Sequence, residues 1–204
     1  MKLYNTKDAS NPRRVTLYLA EKGIYVPKIE VNLEAGEHKR AAFLAKNPAG
    51  KVPVLELDDG SYLPESAAIV EYLEELYPNP TMFGETPEAR ARTRAIERIG
   101  ADLFCFLGLM VKNSNAEFAA SRGFKAYADV VPAVEPSVLG LLKSLEFFLG
   151  DEEYFGGSRP SVADCTIFPL IFTCKTRFNY ELPEEFPCLR AWFDRFMERP
   201  SANC

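Results

Sequence analysis

Residues 47–75, NPAGKVPVLELDDGSYLPESAAIVEYLEE, decide how this chain folds. Their first half reads as a β-hairpin: an apolar strand in VPVLEL, an Asp59-Gly60 turn, and a second short strand in SYL. From Glu65 the period changes, and Ile69, Tyr72, Leu73 and Leu76 fall on one side of a helix over 65–77. A hairpin and one helix need further strands to complete a sheet, and the preceding residues supply them. KLYN (2–5) and 28–31 read as short strands. Between them Asn11-Pro12 reads as N-cap and first helical residue, Val15, Leu17, Leu19 and Ala20 fill the helix, and Gly23 ends it. Residues 37–46, EHKRAAFLAK, read as a second helix. The order is βαβ, an intervening helix, then ββα. The βαβ half is expected to be parallel with a right-handed crossover, and the hairpin antiparallel.

Working outward toward the C-terminus, Tyr77-Pro-Asn-Pro-Thr81 breaks the pattern, and no strand signal follows it. Thr86-Pro87-Glu88 starts a helix that is expected to run to about residue 113. Its segment 103–111 carries no charge, which demands burial on more than one face: one against the domain core, the other against a partner subunit or a cleft. Pro132 and Pro136 mark a helix start or kink before the apolar stretch 138–149. Ser161-Val-Ala-Asp164 resembles a capping box opening a buried helix through Thr173, and 188–197 closes as a short amphipathic helix. The reading is therefore an α/β domain over 1–77, a linker over 78–86 and an all-α domain over 87–204.

Composition excludes several functions. The chain has 204 residues and a formal charge of −5 with no basic stripe, which argues against nucleic-acid binding. No stretch approaches the roughly 18 apolar residues of a membrane span. The start, MKLYNTKD, lacks the apolar core of a secretory signal, so a cytoplasmic location is expected. Cys105, Cys165, Cys174, Cys188 and Cys204 include no CxxC pair, and His38 is the single histidine, so no metal site is expected and the thiols are expected to be reduced and structural.

The 47–75 segment resembles the glutathione-binding segment of soluble glutathione transferases. The likeness extends to KLY in the first strand, RRVTLYLAEKG in the first helix, GEHKRAAFLAKNP and SRPSVADC. It implies a thioredoxin-like N-terminal domain (βαβ-α-ββα), an all-α C-terminal domain and a homodimer. It also implies glutathione as a substrate, with no separate cofactor, and a small hydrophobic electrophile as its partner.

Glutathione presents two carboxylates, an amine, two peptide groups and a thiol. Glu65-Ser66 opens a helix whose free N–H groups and positive dipole end suit a carboxylate. The resemblance places the γ-glutamyl carboxylate there, with Glu65 holding the region or the amine. It implies a cis peptide at Val52-Pro53 and pairing of the Val52 backbone with the cysteinyl peptide. His38 and Lys51, with Lys39 behind them, are candidates for the glycine carboxylate.

Thiol activation departs from the family pattern, because Ala9 stands where serine-type members carry their serine. Asn11, resembling the asparagine of bacterial and fungal members, and Ser10 are the candidates, with backbone donors and the helix field as a further possibility. Tyr4 ranks behind them. Asn11 either only caps the helix or caps it and also contacts the thiol. Phe104, Phe106, Leu109 and Met110 are candidates for an apolar second-substrate wall, and Asp102 for a contact to the glutathione amine or a solvated helix position. The leading expectation is conjugation of glutathione to an electrophile. A glutathione-dependent disulfide or peroxide reductase and a non-catalytic interaction domain are the alternatives.

Overall fold

The computed structural model describes residues 1–7, 9–121 and 123–203. Four strands form one sheet in the order β2-β1-β3-β4. β1 (Lys2–Asn5) runs parallel to β2 (Lys28–Glu30), while β3 (Val54–Glu56) is antiparallel to β1 and to β4 (Tyr62–Pro64). Leu3 lies opposite Leu55, which lies opposite Leu63, and Tyr4 lies opposite Val54. Alternation therefore gives the sheet two apolar faces. Val15 and Leu19 of α1 (Ser10–Lys22) and Ile69 and Leu73 of α3 (Ser66–Leu76) complete a buried core with Leu3 and Leu55. A second cluster joins Val31, Phe43 and Val54, with Tyr4, Leu33, Val52 and Tyr62 packed against it.

Two predicted elements differ in detail. α1 begins at Ser10 with Ala9 as its N-cap, so Asn11 lies within the first turn and does not cap the helix. Pro12 is tolerated there as well as at the first position, since first-turn N–H groups have no intrahelical acceptor. The stretch 37–46 is not one helix. It is a 3₁₀ turn at Glu37–Lys39, an extended Arg40, and a short α2 (Ala41–Leu44). Phe43 is the buried residue of that helix, and one apolar anchor does not define a helical face.

The chain divides into two compact units, Met1–Met82 with the segment from Arg199 onward, and Phe83–Glu198. Within the first unit, Glu74 accepts from Tyr18 Oη at 2.6 Å, Lys22 Nζ at 3.0 Å and the Met82 N–H at 2.7 Å, which ties residues 77–82 down. The segment after Arg199 docks on α1. Arg199 forms a bidentate pair with Glu21 through two 2.7 Å bonds, Ser201 also donates to Glu21, and Arg13 donates to the Ala202 carbonyl.

The second unit is helical: α4 (Pro87–Ser114), α5 (Ala116–Ser121), α6 (Val130–Leu149), α7 (Val162–Phe178) and α8 (Pro187–Met197), with no strand among its described residues. Thr86 caps α4, as its sequence implied. Pro132 lies in the first turn of α6 and Pro136 inside it. Ser161 and Asp164 form the expected capping box of α7. Asp164 is fully buried and also accepts from Trp192 Nε1 at 2.8 Å and the Phe155 N–H at 3.1 Å. Burial pushes its carboxyl up, and these hydrogen bonds oppose that. Leu103, Leu107 and Val111 form the buried stripe of α4, whereas Phe104 and Leu109 are 37% and 46% exposed.

Candidate functional site

Asn11, Asn47, Lys51, Val52, Pro53, Glu65 and Ser66 line one cleft, with about 320 Å³ of empty space including its open mouth. Its lining comes from the first unit. Three pieces of chain meet there: the first turn of α1, the loop before β3, and the start of α3.

Asn47 organises the loop. It is buried, its side-chain amide donates to the Lys51 carbonyl at 2.8 Å, and its side-chain oxygen accepts from the Ala49 N–H at 3.0 Å. Gly50 follows at φ +58, where a Cβ would come within 2.9 Å of the His38 carbonyl, so only glycine fits this close approach. The Val52-Pro53 peptide is cis, as the resemblance implied.

At the start of α3, exposed Glu65 is held at φ +70, a conformation that costs a non-glycine residue about 1–3 kcal/mol. Ser66 directly follows it and is buried. No side chain caps α3, so its leading N–H groups are left for another acceptor. Buried Arg14 donates through Nη1 to Ser66 Oγ at 3.1 Å. α1 likewise lacks a side-chain cap, and its first turn includes Asn11 in the cleft wall. Two helix N-termini, the Lys51 ammonium and the Arg14 guanidinium thus bring positive potential to this region, and Glu65 is the carboxylate among the lining residues. The combination suits a ligand with a carboxylate beside an amine at one end and a peptide backbone along its length.

Other predicted residues fall elsewhere. Ser10 adjoins the cleft in sequence but is not among its lining residues. His38 and Lys39 lie across from Gly50, where Lys39 Nζ donates to the Gly50 carbonyl at 3.2 Å. Burial, then the Lys39 charge, lowers the His38 pKa, which keeps its imidazole neutral at pH 7. Tyr4 is committed elsewhere. Its hydroxyl donates to Glu56 at 2.8 Å and its ring meets Phe43 and Tyr62 edge-on, with burial the first cause of its raised pKa. Asp102 pairs with Arg98 on the same helix at 2.6 Å. Phe104 and Leu109 are exposed on α4, with Phe106 and Met110 half-buried. Cys165 and Cys174 are buried, the latter with its thiol pushed up to about 12 by burial, and Cys204 lies outside the described residues. Among the described residues no three His, Cys, Asp or Glu side chains converge as metal ligands, and no helix is long and apolar enough to cross a membrane.

Asn47 and Arg14 are the residues that sequence reasoning missed. The NPAG motif containing Asn47 was visible, but its role in bracing the loop was not. Arg14, beside Arg13, carried no sign of burial.

Residues 10–76 match the family model described as glutathione S-transferase, N-terminal domain, and residues 104–200 match the C-terminal domain model. The chain is 33% identical to maleylacetoacetate isomerase of Pseudomonas aeruginosa over 98% of its length and 93% of that protein's. It is 34% identical to glutathione S-transferase 2 of Saccharomyces cerevisiae, covering all of this chain and 88% of that one. The crystal structure of Gtt2 from Saccharomyces cerevisiae superposes with a TM-score of 0.81 at 30% identity, covering 100% of this chain and 99% of that one.

Proposed function

Because the chain belongs to the glutathione S-transferase family, we propose that it conjugates the glutathione thiol to a small hydrophobic electrophile and that the Asn11–Ser66 cleft is its glutathione site. The observation that carries this reading is the polarity of the cleft. Ser66, the open end of α3 and Arg14 suit the γ-glutamyl carboxylate, and Glu65 suits the neighbouring amine. The Val52 backbone suits the cysteinyl peptide, and Lys51, with His38 and Lys39 nearby, suits the glycine carboxylate. A free thiol has a pKa of about 8.5, so the site must favour the thiolate. The N-terminus of α1 supplies its field, the Ser10 and Asn11 backbone N–H groups are uncommitted among the described residues, and the Asn11 amide adds a side-chain donor. The thiolate sulfur then supplies the electron pair of the new S–C bond, and the electrophile's leaving group departs with its own pair or its double bond accepts the electrons and a proton.

The exposed Phe104 and Leu109, with Phe106 and Met110 beside them, are apolar surface for an electrophile or for a second copy of the chain. A homodimer acting in the cytoplasm is part of this proposal. A second reading, isomerisation of a maleyl substrate, is favoured by the name of the Pseudomonas relative. In that reading the same thiolate of this protein's bound glutathione adds to a maleyl double bond, the resulting single bond rotates, and elimination returns the thiolate.

Calorimetry with glutathione, followed on one sample by conjugation, maleyl-isomerisation and disulfide-reduction assays, tests these readings. Saturable binding with conjugation is expected. Binding with isomerisation alone replaces the first reading with the second, and reduction alone makes the protein a reductase. Absence of binding removes the glutathione site.

A further inference from the structure

The Ser66 hydroxyl carries a single proton, and its partner dictates where that proton goes. A guanidinium donates hydrogen bonds and accepts none. In the 3.1 Å contact between Arg14 Nη1 and Ser66 Oγ, the serine oxygen is therefore the acceptor. Its own O–H must point elsewhere, and Ser66 lines the cleft. Both residues are buried, at 9% and 4% exposure, so packing holds this geometry in place before any ligand arrives. The contact also joins helices far apart in sequence, tying the second turn of α1 to the first residue of α3.

We propose that Arg14 is a positioning residue that makes Ser66 a one-way donor into the cleft and sets a buried cation behind it, so that the start of α3 selects a carboxylate over a neutral group. This rests on the glutathione reading above, in which that carboxylate belongs to the γ-glutamyl end. Three features act in the same direction. The α3 end has no side-chain cap to compete with the ligand, Glu65 is held in a strained conformation immediately before it, and the hydroxyl is oriented in advance. Without Arg14, the hydroxyl rotates freely and must be reoriented on binding.

The test compares glutathione with an analogue in which 4-aminobutanoyl replaces the γ-glutamyl unit, keeping the amine and removing the carboxylate. Dissociation constants are measured for wild type, Arg14→Met, Ser66→Ala and the double variant. Wild type is expected to prefer glutathione by about tenfold or more, the range of a hydrogen bond to a charged group. Each single variant should reduce that preference to about threefold or less, the double variant should reduce it no further, and the analogue's affinity should stay within about twofold. A merely structural role for Arg14 weakens both ligands alike and leaves the preference intact, and that result overturns the proposal. Should Arg14→Met fail to fold, Ser66→Ala decides alone: a full preference retained there shows that the hydroxyl is not the donor. Wild type that binds glutathione without discriminating the analogue also overturns the proposal while leaving the glutathione reading standing. Wild type that binds neither ligand removes both.

Discussion

Asn11→Ala separates two roles that an asparagine near a helix start can have. If Asn11 capped α1, its loss would cost about 1 kcal/mol and lower the melting temperature by about 2–4 °C in a protein of this size. The cap is Ala9, and among the described residues no side chain caps the helix end, so no such loss is expected. Alanine is also the better helix former, and the melting temperature should hold within about 1 °C. What the variant removes is an amide donor in the cleft wall. A hydrogen bond to a charged acceptor contributes about 1.5–3 kcal/mol, which corresponds to about 1–2 units in the pKa of a bound thiol. Where that thiol is mostly protonated, each unit lowers the thiolate fraction about tenfold. The more basic thiolate is a better nucleophile, with β of about 0.4–0.5, and the net loss in turnover is about three- to fourfold per unit. The assay is ultraviolet titration of thiolate in the glutathione complex, with turnover and a thermal melt on the same preparations of wild type, Asn11→Ala and Ser10→Ala. An unshifted titration in Asn11→Ala beside a clear rise in Ser10→Ala would refute the assignment and give the role to the serine. If neither moves, the backbone donors and the helix field are the activators.

Asp164→Ala leaves the Trp192 indole N–H and the Ser161 and Phe155 backbone N–H groups without their buried acceptor. At about 1–3 kcal/mol for each stranded donor, urea unfolding should show at least 3 kcal/mol lost, and a change below 1 kcal/mol would contradict the account. His38 titrates below its ordinary 6.5 in the folded protein, so the folded state binds fewer protons and stability should fall as pH drops below about 6.5. As the single histidine, its proton resonances identify themselves in a titration; a midpoint at or above 6.5, or an unchanged acid slope in His38→Gln, contradicts this. Light scattering at micromolar concentration should give about twice the 22.9 kDa chain mass. A monomer mass would leave Phe104 and Leu109 of α4 without a covering partner copy.

Elements announced by local chemistry were legible from the residues alone. The Asp59-Gly60 turn, the Thr86-Pro87 start and the Ser161–Asp164 box each rest on interactions within a few residues. The start of α1 was legible only to within two residues, because proline fits equally anywhere in a first turn. α5 and the broken stretch 37–46 were not legible, since each buries too little apolar surface to impose a period. The cleft was legible where its residues sit in one motif, from Lys51 to Ser66. Arg14 was not, because periodicity ranks an arginine as surface, and only the tertiary meeting of α1 with α3 buries it.

The segment from Arg199 onward has a consequence for biosynthesis. Ribosomes deliver Glu21 and Arg13 early, yet their partners Arg199, Ser201 and Ala202 follow more than a hundred residues later. At about 5–20 residues per second, that interval is on the order of ten seconds. Throughout it, the nascent α/β portion carries Glu21, a nearly buried carboxylate in the finished protein, without the guanidinium that neutralises it. The helix bearing Asn11 and Arg14 gains its last anchor only after the helical portion has emerged. The first turn of that helix, part of the cleft wall, is thus among the last parts of the molecule to mature, although it is among the first to be translated.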